Sequence, residues 1–493
     1  MKLLKWSLLT ILCLFIFISC GTTDEDVIKD TASQNTGTGP AETTTGRINP
    51  DLPAMNFNGK EYRVLGRVNK TYSQFTNFEI YAESMNGEII NDAVYERNSV
   101  IEEKYNVVIT NDVFENPEDI LKKSVSSGED VYDLAFIYIQ NVGPLAQTGN
   151  FYDLNSLKYL DFNKPWWNIE INKEISIEKR LYFATGDYNM MDKHRTIIML
   201  YNKNLAETFN FGNLYDLVYD GTWTVDKMTQ FCTAVSDDID GDGAMTDADR
   251  WGLGMGGYGA FYTCWVGAGN FIITKDKDDV PVMSINNERT VLSVDKILPL
   301  TNNKSIAFYC NDFMGKVSYD VWYAATNMFM DARLMFVACN THTLREASAS
   351  AEFEYGVLPH PKLDEKQENH VSIADGMGAM LTIPITVQDT DFAAFMLEAL
   401  CAASRYEVLP KYYEVSAKTK YTYDEESPKM LDLIFSTLHY DLGYLYNWGN
   451  VLNILANTIP TEGTNTFVSK YVALHEKALA EMEKTLEDFR TLP

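Results

Sequence analysis

The sequence predicts an α/β protein of two lobes joined by a hinge, with a ligand cleft between the lobes. Three observations carry that reading. Residues 60–139 alternate strand and helix in β-α-β-α-β order, the pattern of a doubly wound sheet. About 440 residues follow a leader and a polar linker, too many for one compact core and suited to two. A buried-strand pattern then breaks at Gly186 and the polar run from Asn189 to Arg195, and resumes at Thr196, which marks a crossing into a second lobe.

The chain opens on Lys2 and Lys5, followed by an apolar run from Trp6 to Ile18 that is too short to span a bilayer as a permanent helix. Phe17, Ile18, Ser19 and Cys20 then form the cleavage and lipidation site of a bacterial lipoprotein. Residues 1–19 are the signal, and the Cys20 thiol takes a diacylglycerol. An ordinary cleaved signal with an incidental cysteine is the alternative. Residues 20–54 are dense in Thr, Gly, Asp and Pro and poor in large apolar side chains, so they read as a disordered tether. As a coil, such a tether has an r.m.s. reach of roughly 30 Å. The expected location is a cell membrane, held by lipid and facing the extracellular or periplasmic side.

In the body, Tyr62–Gly66 reads as the first strand. Ile90–Tyr105 reads as a helix from the spacing of Ala93, Val94, Ile101 and Tyr105, with Asn91 as its N-cap. Asn106–Thr110 is expected as the second strand, Pro117–Ser126 as a helix, and Val131–Ile139 as a third strand apolar enough for a buried parallel sheet. Thr224 caps a helix whose Val225, Met228, Phe231, Cys232 and Val235 share one face. Strands follow at Ala332–Ala338, Tyr355–Leu358 and Met377–Pro384, and helices at Phe392–Ser404 and Phe467–Phe489. The expected division is 55–190 with 367–410 as the first lobe, and 191–366 with 411–493 as the second.

A net charge of −28 argues against nucleic acid and against basic-patch binding to anionic lipid. Cys232, Cys264, Cys310, Cys339 and Cys401 are scattered without metal-ligand spacing and read as small buried hydrophobes. There is no GxSxG elbow, HExxH pair, phosphate loop or nucleotide fingerprint. A glycoside hydrolase would need only two suitably spaced carboxylates, which 69 acidic residues could supply.

One motif is sharp. Asp238, Asp240, Asp242 and Asp249 stand at positions one, three, five and twelve of a calcium loop, with Gly243 at the sharp turn. Ala244 offers its carbonyl at position seven, and Thr246 at nine can act through water. Asp249 replaces the usual Glu, which shortens the reach at position twelve. A strand beginning near Trp251 follows, so a lone structural Ca²⁺ site is expected rather than a paired sensor.

Taken in order, the lipidation site, tether, two lobes, Tyr201–Asn204 after the crossing, Gly221–Thr224, the calcium loop and Trp251–Leu253 resemble bacterial extracellular solute-binding lipoproteins. These serve ABC importers of sugars and oligosaccharides. Asp331–Phe336 and Glu354–Pro359 extend the resemblance, which covers residues 55–460. It implies a monomeric, two-lobed, non-enzymatic receptor that closes on a small saccharide and delivers it to the transmembrane permease subunits. A surface glycan-binding lipoprotein without a transport role would share nearly every feature.

Sugars present apolar C–H faces and hydroxyl edges, so binding calls for aromatic platforms beside polar side chains. Candidates on the second lobe are Tyr258, Phe261, Tyr262 and Trp265, in a stretch that reads as a glycine-broken loop. Arg67, Tyr138 and Gln140 lie at strand ends of the first lobe, Asp187 and Tyr188 at the crossing, and Asn340 and His342 beyond a strand. Asp375 and Met377 lie in the return crossing. Arg67 could be a surface charge or could grip an acidic sugar through bidentate pairing. The cluster from Tyr440 to Trp448 is the fallback should Tyr258 and Trp265 prove to be core.

Overall fold

Eleven strands are described: β1 (Lys60–Arg67), β2 (Val107–Phe114), β3 (Leu134–Tyr138), β4 (Ile197–Asn202), β5 (Trp251–Met255), β6 (Ile273–Lys275), β7 (Pro281–Met283), β8 (Ala307–Tyr309), β9 (Leu334–Asn340), β10 (Tyr355–Leu358) and β11 (Ala379–Thr382). They come from a computed structural model, which describes residues 46–256, 259–316, 320, 323–414 and 424–492. The signal, Cys20 and Tyr258 lie outside the described residues.

The first lobe is built on a four-stranded sheet in the order β11-β3-β1-β2, with β1, β2 and β3 mutually parallel and β11 antiparallel. All five residues of β3 are buried, as expected of an apolar strand covered on both faces. The strand is shorter than its apolar run suggests, because Ile139 already opens the helix Ile139–Gln147. The helix Pro117–Ser127 starts on proline at its first turn and stops at Gly128 in the left-handed region, the usual start and stop asymmetry.

Two boundaries differ from expectation for identifiable reasons. The first long helix runs Ile89–Tyr105 behind an extended Glu88, so Asn91 sits inside it and donates to the Ser84 carbonyl at 2.8 Å instead of capping. Asn106, expected in the strand, is the left-handed terminator of that helix at φ 51°.

The second lobe carries a five-stranded sheet in the order β10-β4-β9-β5-β8 and a small β6–β7 hairpin. The Thr224 hydroxyl accepts from the Lys227 amide at 3.3 Å, and Val225, Met228, Phe231, Cys232 and Val235 are buried, as the spacing requires. β9 begins two residues later than expected because Ala332 is left-handed at φ 59°, just past a helix end. The five cysteines after Cys20 are all buried and free.

Two crossings lie side by side between the sheets. Ala184 bridges Leu381, and Thr196 bridges Ala374, both antiparallel. A third stretch joins them where Ser372 pairs with Leu438. The segment after 440, expected with the second lobe alone, touches both. The Tyr182 ring lies 4.6 Å from Phe489 and Gln147 donates to Asp488 at 2.9 Å, while Asn465 donates to Asp295 at 2.7 Å.

The tether expectation also narrows. Ile48 donates its amide to the Tyr406 hydroxyl at 3.0 Å, and Asp51 meets Lys164 at 2.5 Å, so the chain from Ile48 lies against the first lobe. Ile48–Pro493 forms one compact unit. No helix among the described residues is long and apolar enough to cross a membrane.

Candidate functional site

Antiparallel pairing decides which loops meet. The start of β4 lies beside the end of β9 (Ile197 opposite Asn340), and the start of β11 lies beside the end of β3 (Ala379 opposite Tyr138). The residues just before β4 and β11 are the two crossings, so strand ends and crossings converge on one locus. Ligands of open α/β sheets gather at such carboxyl edges.

Arg195 is the hub of that locus. Its Nε donates to Asp375 at 3.2 Å and its Nη2 to the other oxygen of the same carboxylate, a bidentate fork. Its Nη1 donates to Nδ1 of His342 at 3.1 Å. Asn340 donates to the Arg195 carbonyl at 2.9 Å and to Asp375 at 3.1 Å, while the Met377 amide donates to Asp375 at 2.9 Å. Four expected residues, Asn340, His342, Asp375 and Met377, are therefore brought together. Burial first, then Arg195 and His194, hold the His342 imidazole well below its ordinary pKa, so it is a neutral acceptor. Arg195 itself was read only as part of a polar hinge run.

The first lobe supplies the facing wall. The Arg67 guanidinium lies 3.5 Å from the Tyr138 ring centroid, pairs through Nη2 with both oxygens of Glu118, and donates through Nη1 to the Glu115 carbonyl. Arg67 and Glu118 are both buried, so Arg67 is neither a surface charge nor a free fork for an acidic sugar. Tyr138 donates to the Phe75 carbonyl at 3.4 Å, and the Phe75 ring stands 4.4 Å from the Arg195 guanidinium. Burial pushes the Tyr138 phenol up to about 12 against the pull of Arg67, so it stays a neutral donor. The loop after β1 continues across to the second lobe, where Tyr72 donates to Asp320 at 3.0 Å and Gln74 to the Tyr323 hydroxyl. Tyr72, Phe75 and Tyr323 were not singled out in the sequence, because nothing local distinguishes a cleft aromatic from a core one.

Other candidates fall elsewhere. Tyr188 is fully buried in the first lobe, 5.4 Å from Phe136 and 4.7 Å from the Arg97 guanidinium. Asp187 is buried and bound to Arg405 at 3.0 Å, with burial raising its carboxyl above the ordinary range despite Lys193 and Arg405. The expected glycine-broken loop is instead a buried helix, Ala260–Gly267, in which Phe261, Tyr262 and Trp265 are all core. Tyr262 stacks between Trp265, at 5.9 Å, and Tyr444, at 5.5 Å. In the fallback cluster Tyr440, Tyr446 and Trp448 are buried, and Tyr444 is half-exposed. Gln140 is exposed at the start of its helix, and its amide donates to the Gly376 carbonyl at 3.2 Å.

The acidic loop lies at the other end of the second sheet. β5 runs parallel to β9 with Trp251 opposite Leu334, so the loop before Trp251 sits at the end of β9 away from Asn340. The Trp251 indole donates to the Thr246 carbonyl at 2.7 Å, tying the loop to the sheet. Asp238, Asp240 and Asp242 present oxygens within 4.8 Å of one another. Asp249 is fully buried, and its oxygens accept from the Ile239 amide at 2.9 Å and the Thr246 amide at 2.7 Å. Burial raises its pKa, but those amides outweigh burial and leave the carboxyl low and ionised. The loop thus offers three convergent carboxylates, with Asp249 bracing the turn.

No family model matches the chain, and no curated protein matches it. Solved structures do. A cyclo/maltodextrin-binding protein complexed with maltotetraose is 12% identical, with a TM-score of 0.54 over 88% of this chain and 98% of its own. An ABC substrate-binding protein from Listeria monocytogenes in complex with cycloalternan is 13% identical, with a TM-score of 0.51 over 87% and 99%. The apo form of RafE from Streptococcus pneumoniae is 14% identical, with a TM-score of 0.52 over 85% and 98%. The chain therefore has the two-lobed, periplasmic-binding-protein-like fold.

Proposed function

We propose that the chain is the saccharide-capturing receptor of an ABC importer, held to the membrane through lipidated Cys20 and delivering its ligand to the permease subunits. One observation carries the reading furthest. Asn340, Asp375 and Arg195 are gathered at the paired crossings, with the Phe75 ring of the first lobe against Arg195, in a fold shared with a cyclo/maltodextrin-binding protein and with a substrate-binding protein solved in complex with cycloalternan.

The geometry supports a binding role. Planar carboxylate, amide and guanidinium groups held in one network suit hydroxyl pairs, and the half-buried Phe75 ring suits a C–H face. The cations facing the cleft from both lobes are already matched, Arg67 by Glu118 and Arg195 by Asp375, which favours an uncharged sugar over an acidic one. Closure follows if the ligand contacts both lobes at once, because only contacts made solely in the closed state shift the equilibrium towards it. Crossings placed side by side let the lobes rotate while Asp375 and Arg195 stay paired.

Calcium, in this reading, is held by Asp238, Asp240, Asp242 and the Ala244 carbonyl. It would neutralise repelling carboxylates and fix the start of β5. Its place far from Asn340 fits a structural role.

A thermal-shift screen of neutral and uronic saccharides, followed by calorimetry on any hit, tests the function. A neutral saccharide that raises the melting temperature and binds with one-to-one stoichiometry is the expected result. Release of reducing sugar from a glycan incubated with the protein would instead indicate an enzyme.

A further inference from the structure

Three distant stretches of chain meet at Gly376. The Gln140 backbone N–H donates to its carbonyl at 3.2 Å, and the Ile139 backbone N–H donates to that of Gly378 at 2.9 Å, so the return crossing is laid along the start of the helix Ile139–Gln147. A Cβ added at Gly376 would stand 2.6 Å from the Tyr444 hydroxyl oxygen and 3.2 Å from Oε1 of Gln140. Gly376 is not in the left-handed region, so its backbone does not require glycine. What the missing Cβ leaves is room for two polar side chains, one exposed and one half-exposed, one residue on from Asp375.

Tyr444 is held there by its surroundings. Its helix, Leu442–Tyr446, is capped by Asp441, whose carboxylate accepts from Gly443 at 2.7 Å and from the Ile273 amide at 3.1 Å. Its ring lies nearly parallel to Tyr262 (13°), which in turn lies against Trp265 (26°). Tyr262 and Trp265 are buried, so Tyr444 is the outer ring of a three-ring stack that runs into the second-lobe core. A side chain so fixed loses little entropy when a ligand settles on it.

Resting on the saccharide reading above, we propose that Tyr444 and Gln140, seated over Gly376, form a subsite that reads one pyranose ring of an uncharged sugar. The Tyr444 ring takes a C–H face. Its hydroxyl and the Gln140 amide, which both donate and accept, take neighbouring sugar hydroxyls.

The test is a double-mutant cycle read by calorimetry, using as probe the tightest binder among neutral mono-, di- and tetrasaccharides of glucose, galactose and xylose. Gly376→Ala pushes the Tyr444 hydroxyl aside and should weaken binding at least about tenfold with the thermal transition retained. Tyr444→Phe removes the atom that collides with the new Cβ. The double variant Gly376→Ala, Tyr444→Phe should therefore bind more tightly than additivity of the two single losses predicts. Gln140→Ala, at an exposed position with no folding burden, should also weaken binding. If all of these variants bind like the parent while Asn340→Ala does not, the subsite is wrong and the saccharide reading stands. If the parent binds no member of the panel, the saccharide reading falls and takes the subsite with it.

Discussion

Replacing Trp265 by alanine separates a core residue from a ligand platform most sharply. The side chain is fully buried against Tyr262, and its backbone carbonyl accepts from the Asn270 amide at 2.9 Å. Burying an aromatic of this size removes roughly 150–250 Å² from water, which at about 25 cal/mol/Å² is about 4–6 kcal/mol. The Trp265 indole N–H is buried without an acceptor among the described residues, and losing such a donor returns about 1–3 kcal/mol. The net loss is therefore about 3 kcal/mol, the lower end of measured Trp→Ala costs in cores. Urea unfolding followed by far-UV circular dichroism should show the midpoint moving down by about 1 M, for a slope of roughly 3 kcal/mol/M. Trp265→Phe keeps a ring and sheds the orphan donor, so it should lose well under half as much. A loss below about 1 kcal/mol in Trp265→Ala, with saccharide affinity falling more than about tenfold, would refute the core assignment.

Three further outcomes are expected. Glu79 is fully buried, with one carboxylate oxygen lacking a partner among the described residues, and burial pushes its pKa up to about 7 despite its own amide, Asn77 and Arg97. A raised folded-state pKa gives stability that is fully present below the unfolded value and lost as pH rises. Unfolding free energy should therefore fall by about 3 kcal/mol between pH 4.5 and pH 7, and Glu79→Gln should flatten that slope in urea melts at several pH values. Calcium should raise the melting temperature of the parent, and Asp240→Ala with Asp242→Ala should abolish the response; a parent indifferent to chelator would remove the cation. Cys20→Ser should release the protein from membranes and block incorporation of a labelled acyl chain, and a variant that stays equally membrane-bound would remove the anchor.

Periodicity located most elements because their burial is one-sided or complete. Tyr355–Leu358 lies where it was expected, and Thr224 caps the helix assigned to it. The stretch around Trp265 misled for a physical reason. Gly259 is a helix start at φ 89°, and the residues after it are apolar on every side, so a buried helix shows no stripe to read. At the site, Tyr138, Asn340 and His342 were legible as polar or aromatic residues at or just beyond strand ends, and Asp375 as a polar residue of the return crossing. Their organiser, Arg195, was not, because its partners lie on β9 and in the second crossing, and such pairing leaves no local trace. The same holds for Glu118, which neutralises Arg67 from a neighbouring helix and so excludes the bidentate acidic-sugar option. The acidic loop shows the reverse: its carboxylate spacing is local and survives folding, but the turning of Asp249 onto the loop amides could not be read from spacing.

Hydrogen–deuterium exchange with and without a bound neutral saccharide tests capture between the lobes most directly. Added protection should concentrate on four stretches far apart in sequence, around Phe75, around Tyr138, around Arg195, and from Asn340 through Asp375 to Gly378, with the acidic loop 238–249 unchanged. Protection confined to one lobe, or absent from the crossings while the saccharide is bound, would contradict the account.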